Sequence, residues 1–170
     1  MEFAHCNTLC YIQTKPSPSR FLFLMTATAH ALIGASIAAK ITNPYIGIPL
    51  AIISHFAADL VPHWDAGTNR RLKTITRLRT ESAIDVLIGF ALSYAMFSGS
   101  VNPIYLFVMI IAAQFPDWLE APASKFGIEI APFTWARWLG HKLQNRMQLP
   151  WGLATQIVTV GAVVYFALST

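Results

Sequence analysis

The sequence predicts an all-α integral membrane protein, a helical bundle with four to five transmembrane helices and interfacial helices in its cytoplasmic loops. Three observations carry this. The chain of 170 residues is 55% hydrophobic and only 12% charged, too apolar for a typical water-soluble domain. Its apolar residues gather in long runs, and its basic residues alternate between the loops that join them. The 12 Lys and Arg against 8 Asp and Glu give a net charge of +4. That sum does not suggest a nucleic-acid partner, and the positions of the charges say more than their total.

The first apolar stretch runs from Phe21 to Ala39, and its small residues Ala31, Gly34, Ala35 and Ala38 permit close helix packing. The others are Pro44 to Val61, Ala83 to Phe97, Pro103 to Phe115 and Trp151 to Leu168. A membrane crossing takes roughly 17 to 25 apolar residues, and the uncharged last stretch meets this most cleanly. Between them, the segment Asn69 to Arg79 spaces Leu72, Ile75 and Leu78 among five basic residues, as an interfacial strip facing anionic headgroups would. The second long loop, Pro122 to Pro150, carries Trp135, Trp138, Leu139, Leu143 and Met147 at near-helical spacing after Pro132. A helix on the membrane surface is expected there.

With the N-terminus in the cytoplasm, every Lys and Arg except Lys40 falls on the cytoplasmic side, as the positive-inside rule requires. The predicted location is a membrane, with lipids and their anionic headgroups as partners. Residues 1–20, which contain Lys15-Pro-Ser-Pro-Ser-Arg20, read as a variable extension, and residues 21–170 as one helical membrane domain. Cys6 and Cys10 form neither a disulfide framework nor a CxxC zinc motif.

The chemistry-bearing residues are His30, His55, Asp59, His63, Asp65, Asp85, Asp117, Glu120 and His141. His55 and Asp59 are four apart, so they share one helix face and can grip one ion. Pro62 is expected to end that helix and leave His63 and Asp65 just beyond the same face. Imidazole and carboxylate are ligands for zinc or manganese, and an ionisable group at membrane depth costs about 2.5–3.5 kcal/mol unless partnered. His55, Asp59, His63 and Asp65 supply such a ligand set in one segment, His30, His55, Asp59 and Asp85 are expected to partner one another, and Asp59, Asp85 and Asp117 are the candidate catalytic bases. The motifs GxSxG, GxxxxGK[ST], HExxH and GxGxxG are absent, which leaves metal-assisted hydrolysis as the enzymatic reading. Two others stay open: an ion- or proton-handling membrane protein, and a structural module whose polar residues hold helices together.

The stretches Met25-Thr-Ala-Thr-Ala-His30, His55-Phe-Ala-Ala-Asp59-Leu-Val-Pro-His63-Trp-Asp65 and Ala136-Arg-Trp-Leu-Gly-His141-Lys resemble the bacterial inner-membrane family of membrane-bound, metal-dependent hydrolases. More distantly they are similar to the all-helical zinc phospholipase C and P1 nuclease type. The resemblance covers roughly residues 25 to 141. It implies a divalent-metal hydrolase of the inner (plasma) membrane acting on a phosphoester or lipid headgroup at the cytoplasmic face, with His30, His55, Asp59, His63, Asp65 and His141 as the metal site. It also makes Met25 an alternative expected start, which would bring His30 close to the cytoplasmic surface. Where that family carries a Pro-Asp-x-Asp-His type of motif, this chain has Pro62-His63-Trp64-Asp65.

Overall fold

The computed structural model describes residues 27–65, 68 and 72–169. The expected N-terminal extension, Met25 and part of the basic segment Asn69 to Arg79 lie outside the described residues. Among the described residues, six helices run in the order α1 (Ala27–Lys40), α2 (Pro44–Leu60), α3 (Ile75–Phe97), α4 (Pro103–Phe126), α5 (Phe133–Leu143) and α6 (Trp151–Ser169). The described chain is all-helical apart from an isolated bridge between His63 and Arg146. Three helices, α3, α4 and α6, are long and apolar enough to cross a membrane by length and composition, and α2 is a shorter apolar helix of 17 residues.

α1 is the axis of the bundle. Almost every residue from Ala27 to Ala38 is buried, because its Ala, Gly and Ser side chains let neighbours close in on all sides. A Cβ on Gly34 would come within 2.7 Å of both Ala113 Cβ and the Met109 carbonyl, and one on Gly89 would meet Thr28 Cα at 3.0 Å. These glycines set how closely α4 and α3 approach α1. At 14 residues α1 is about 21 Å long at 1.5 Å per residue, short of a hydrocarbon layer of roughly 30 Å.

Polarity runs opposite to that of a water-soluble globule. Ile53, Leu87, Leu92, Ile104, Phe107, Val158 and Phe166 are exposed, while His30, His55, Asp59, Asp85, Ser93, Gln114 and Gln156 are buried. An apolar exterior around polar internal contacts suits lipid.

The helix boundaries differ from the sequence expectation in two places. The third helix begins at Ile75, capped by the Thr74 side chain, which accepts from the Arg77 N–H. Ile75 and Leu78 therefore belong to its opening turns and not to a separate interfacial strip. The fourth helix was expected to stop at Phe115, before Pro116, but runs on to Phe126 with Pro116 and Pro122 inside it. Each proline removes a rung of the helix, yet the last turns are held by tertiary contacts: Lys125 Nζ donates to Ser82 Oγ, and Arg79 Nη2 donates to the Lys125 carbonyl at 2.8 Å. Termination comes at Gly127, in the left-handed region at φ 72°. By contrast α2 ends at Leu60 with Val61 extended, as Pro62 requires.

Candidate metal centre

All the elements that carry the predicted site meet at one end of the bundle. α1 begins there, α2 and α4 finish there, and α3 and α6 start there. The start of α1 is fixed by Asp85 of α3, whose carboxylate accepts from the Ala27 N–H (2.8 Å), the Thr28 N–H (3.2 Å) and the Thr28 hydroxyl (2.6 Å). The Gln114 amide of α4 donates to the Ala27 carbonyl at 3.1 Å. Together these hold His30 in the first turn of α1, level with the end of α2.

Beyond Pro62 the chain is held by the connector between α5 and α6. The Asn145 N–H donates to the Asp59 carbonyl (2.9 Å), the His63 N–H to the Asn145 carbonyl (3.0 Å), and the Met147 N–H to the His63 carbonyl (2.7 Å). The Trp64 N–H donates to the Gly152 carbonyl at 3.2 Å. Gly152 has no room for a side chain, since a Cβ would lie 2.5 Å from the Met147 carbonyl. This short pairing turns the His63 ring back toward Asp59 rather than out to solvent.

Three imidazoles surround the Asp59 carboxylate, and a second acid approaches one of them. His30 Nε2 is 3.3 Å from Asp59 Oδ1, His55 Nε2 is 3.5 Å from Oδ2, and His63 Nε2 is 3.9 Å from Oδ1. His55 Nε2 also lies 3.6 Å from Asp117 Oδ1 of α4. The His30 and His55 rings stack with centroids 3.9 Å apart. These Nε2–carboxylate separations exceed the roughly 2.7–3.2 Å of a good N–H···O bond. Those of His30 and His55 are near the separation of about 3.3 Å between donors that share a tetrahedral ion at 2.0–2.1 Å, and that of His63 is longer. His30, His55 and Asp59, all buried, each offer a ligand atom within 4.8 Å of the others.

Hydrogen bonding to the main chain fixes how two of the rings face Asp59. His55 Nδ1 is 2.8 Å from the Ala113 carbonyl, and His63 Nδ1 is 2.8 Å from the Val61 carbonyl. A carbonyl oxygen only accepts, so in each ring Nδ1 carries the proton. In the neutral ring, Nε2 then presents a lone pair toward the carboxylate. Lone pairs facing a carboxylate repel unless a cation lies between them. A backbone carbonyl on Nδ1 is also the support that orients a metal-binding histidine. Asp59 Oδ2, His63 Nε2 and His30 Nδ1 are buried without a hydrogen-bond partner among the described residues, where an unsatisfied polar group costs about 1–3 kcal/mol. The donor set fits a divalent ion.

Two spaces flank the cluster. A void of about 20 Å³ is lined by His30, Asp59, His63, Gln156 and Thr159 among others, room for one water or ion. Gln156 Oε1 is buried there without a partner among the described residues. On the other side, Asp117 lines an open cavity of about 280 Å³ between α3, α4 and α5.

The remaining predicted residues stand apart from the cluster. Asp65 accepts from the Arg146 guanidinium (2.9 Å) and the Thr68 hydroxyl (2.7 Å). His141 of α5, which is exposed, lines the large cavity, as do Asp85 and Glu120. Sequence reasoning missed Gln156, whose signal was a lone amide in an otherwise apolar span. It also missed Gln114 and the carbonyls of Val61 and Ala113, which become visible only once the helices are packed.

No family model, curated protein or solved structure matches the chain.

Proposed function

We propose that this protein is a membrane-bound, divalent-metal-dependent hydrolase that acts on a phosphoester or lipid headgroup at the cytoplasmic face of the inner membrane. The observation that carries the reading is the pair of imidazoles, His55 and His63, whose Nδ1 protons are given to main-chain carbonyls while their Nε2 atoms face the buried Asp59 carboxylate. His30, His55, His63 and Asp59 would hold the ion, zinc by preference for this nitrogen and oxygen set, with manganese as the alternative. A divalent ion there supplies Lewis-acid polarisation of a phosphoryl or acyl oxygen.

Asp117 is assigned as the general base. Its side chain is 32% exposed, against 2% for Asp59, and it stands between His55 and the open cavity, where a water and a substrate can both reach it. Asp85 holds the start of α1 and is assigned that role instead. An ion carrier would need access from both ends, but toward the opposite end the bundle is filled by Ala35, Ala38, Leu106 and Met109. An open route on one side only favours an enzyme. The resemblance noted in the sequence implies the same class of activity.

In the membrane, α2, α3, α4 and α6 are assigned as spans, with α1 enclosed by them as a shorter central helix, and α5 as an interfacial helix. Lys73, Arg79, Lys125, Lys142 and Arg146 lie at the end that carries the cluster, and Lys40 at the other, so the cluster end is assigned to the cytoplasm.

The test is hydrolysis of p-nitrophenyl phosphate and of phospholipids by the metal-loaded protein and by Asp117→Asn. The reading expects turnover that a chelator abolishes, and a fall of about 10²–10⁴-fold in the variant at unchanged metal content. Turnover indifferent to chelator, or equal in the variant, would contradict it.

A further inference from the structure

The cavity beside Asp117 has walls of two kinds. One is apolar, formed by Leu78 and Val86 of α3 and Trp118 and Phe126 of α4. Trp118 and Phe126 are also exposed at the protein's exterior, so the mouth opens between α3 and α4. Leu87 and Ile88, next along α3, are exposed as well. The mouth therefore faces the same apolar exterior that the bundle turns to lipid.

The other wall is charged. Arg79 stands at the rim, its guanidinium 4.4 Å over the Phe126 ring and donating to the Lys125 carbonyl, with Lys125 and Arg146 also lining the space. Of the acids there, Asp65 is paired with Arg146 and Asp85 accepts from the start of α1. Asp117, 3.6 Å from His55, and Glu120, hydrogen-bonded to Ser124, share this lining beside the cluster that would carry a divalent cation. A water-soluble phosphoester would gain nothing from the apolar wall, and an apolar molecule nothing from the arginine and lysine.

We infer that this cavity is a lateral entrance for a phospholipid with an anionic phosphate headgroup. The acyl chain lies along Val86 and Trp118 and leaves between α3 and α4, while the phosphate meets Arg79 and Lys125 on its way to Asp117. The inference deepens the hydrolase reading and takes from it that the headgroup lies against the cluster.

The experiment measures binding, not turnover. The full chain in detergent is titrated with dioleoyl phosphatidic acid, with dioleoylglycerol (the tails without the phosphate) and with glycerol 3-phosphate (the head without the tails). Retained ligand is read by native mass spectrometry, and metal content is measured on the same samples. Phosphatidic acid should bind at least ten-fold more tightly than either half. Val86→Trp and Ala121→Phe, which fill the cavity from opposite walls, should each weaken it at least ten-fold while metal content stays at the wild-type value. Arg79→Glu changes an exposed side chain and so keeps the test open if the filled variants do not fold; it should weaken phosphatidic acid and leave dioleoylglycerol unchanged. Filled variants that retain phosphatidic acid like the wild type, or glycerol 3-phosphate binding as tightly as the lipid, would overturn the inference. A wild type that binds lipid as expected yet holds no metal would support the entrance and sink the hydrolase reading.

Discussion

Asp85 and Asp59 are both buried aspartates at the same end of the bundle, and their surroundings differ. The Asp85 carboxylate is satisfied by two N–H groups and a hydroxyl at the start of α1, while Asp59 Oδ2 has no hydrogen-bond donor among the described residues. Asp85→Ala should therefore destabilise the fold by on the order of 2 kcal/mol, as loss of a helix cap and exposure of buried donors does, with Asp85→Asn milder because it keeps an acceptor. An SDS-unfolding midpoint in detergent measures both. Asp59→Ala should leave that midpoint of the metal-free protein unchanged or raised, since it removes an unsatisfied acid. At the protein's edge, the Arg137 guanidinium, bonded to both Glu129 oxygens at 2.6 Å, holds that carboxyl below its ordinary 4.5. A lowered folded-state pKa means that this contact helps the fold at neutral pH and is lost as pH falls below the ordinary carboxylate range. Carbon-detected NMR should find the Glu129 midpoint below 4.5, and Arg137→Leu should return it to the ordinary value.

The helices position the cluster through close contacts at small residues. A methyl on Gly34 would strike Ala113 and the Met109 backbone, one helical turn from His30. Gly34→Ala should cost about 1–3 kcal/mol, as overpacking does, and should weaken metal binding by shifting His30 away from Asp59. Equal stability and affinity in a side-by-side titration would show that α1 has room to move. How much of this was legible in the sequence varies by element. The four-residue spacing of His55 and Asp59 and the stop at Pro62 are local facts, and both appear as read. That α1 would consist of small residues suited to close packing was also legible. His30 meeting Asp59 depends on α1 packing beside α2, and the Asp85 contacts join residues 57 and 58 apart, which no local pattern reveals. Pro116 looked like a helix end because its local cost is real; the contacts of Lys125 and Arg79 that carry the helix past it come from α3.

For the whole molecule, the apolar exterior, the buried polar cluster and the gathering of basic residues at one end make a directional claim about topology. Gly99, in the turn between α3 and α4, has open space around it, and Ile128, just after α4, is exposed. In a Cys6→Ser, Cys10→Ser background in intact cells, Gly99→Cys should react with a membrane-impermeant thiol reagent, and Ile128→Cys should react only after permeabilisation. The reverse pattern would turn the cluster to the outside and remove the cytoplasmic assignment.

The most direct measurement of the central claim is the metal content of the detergent-purified protein, by elemental analysis against matched buffer, beside the His55→Ala, Asp59→Ala double variant. The account predicts about one tightly held zinc or manganese per chain, lost in the variant while its helical circular dichroism is kept. A folded wild type that remains metal-free after loading with zinc and with manganese would contradict it.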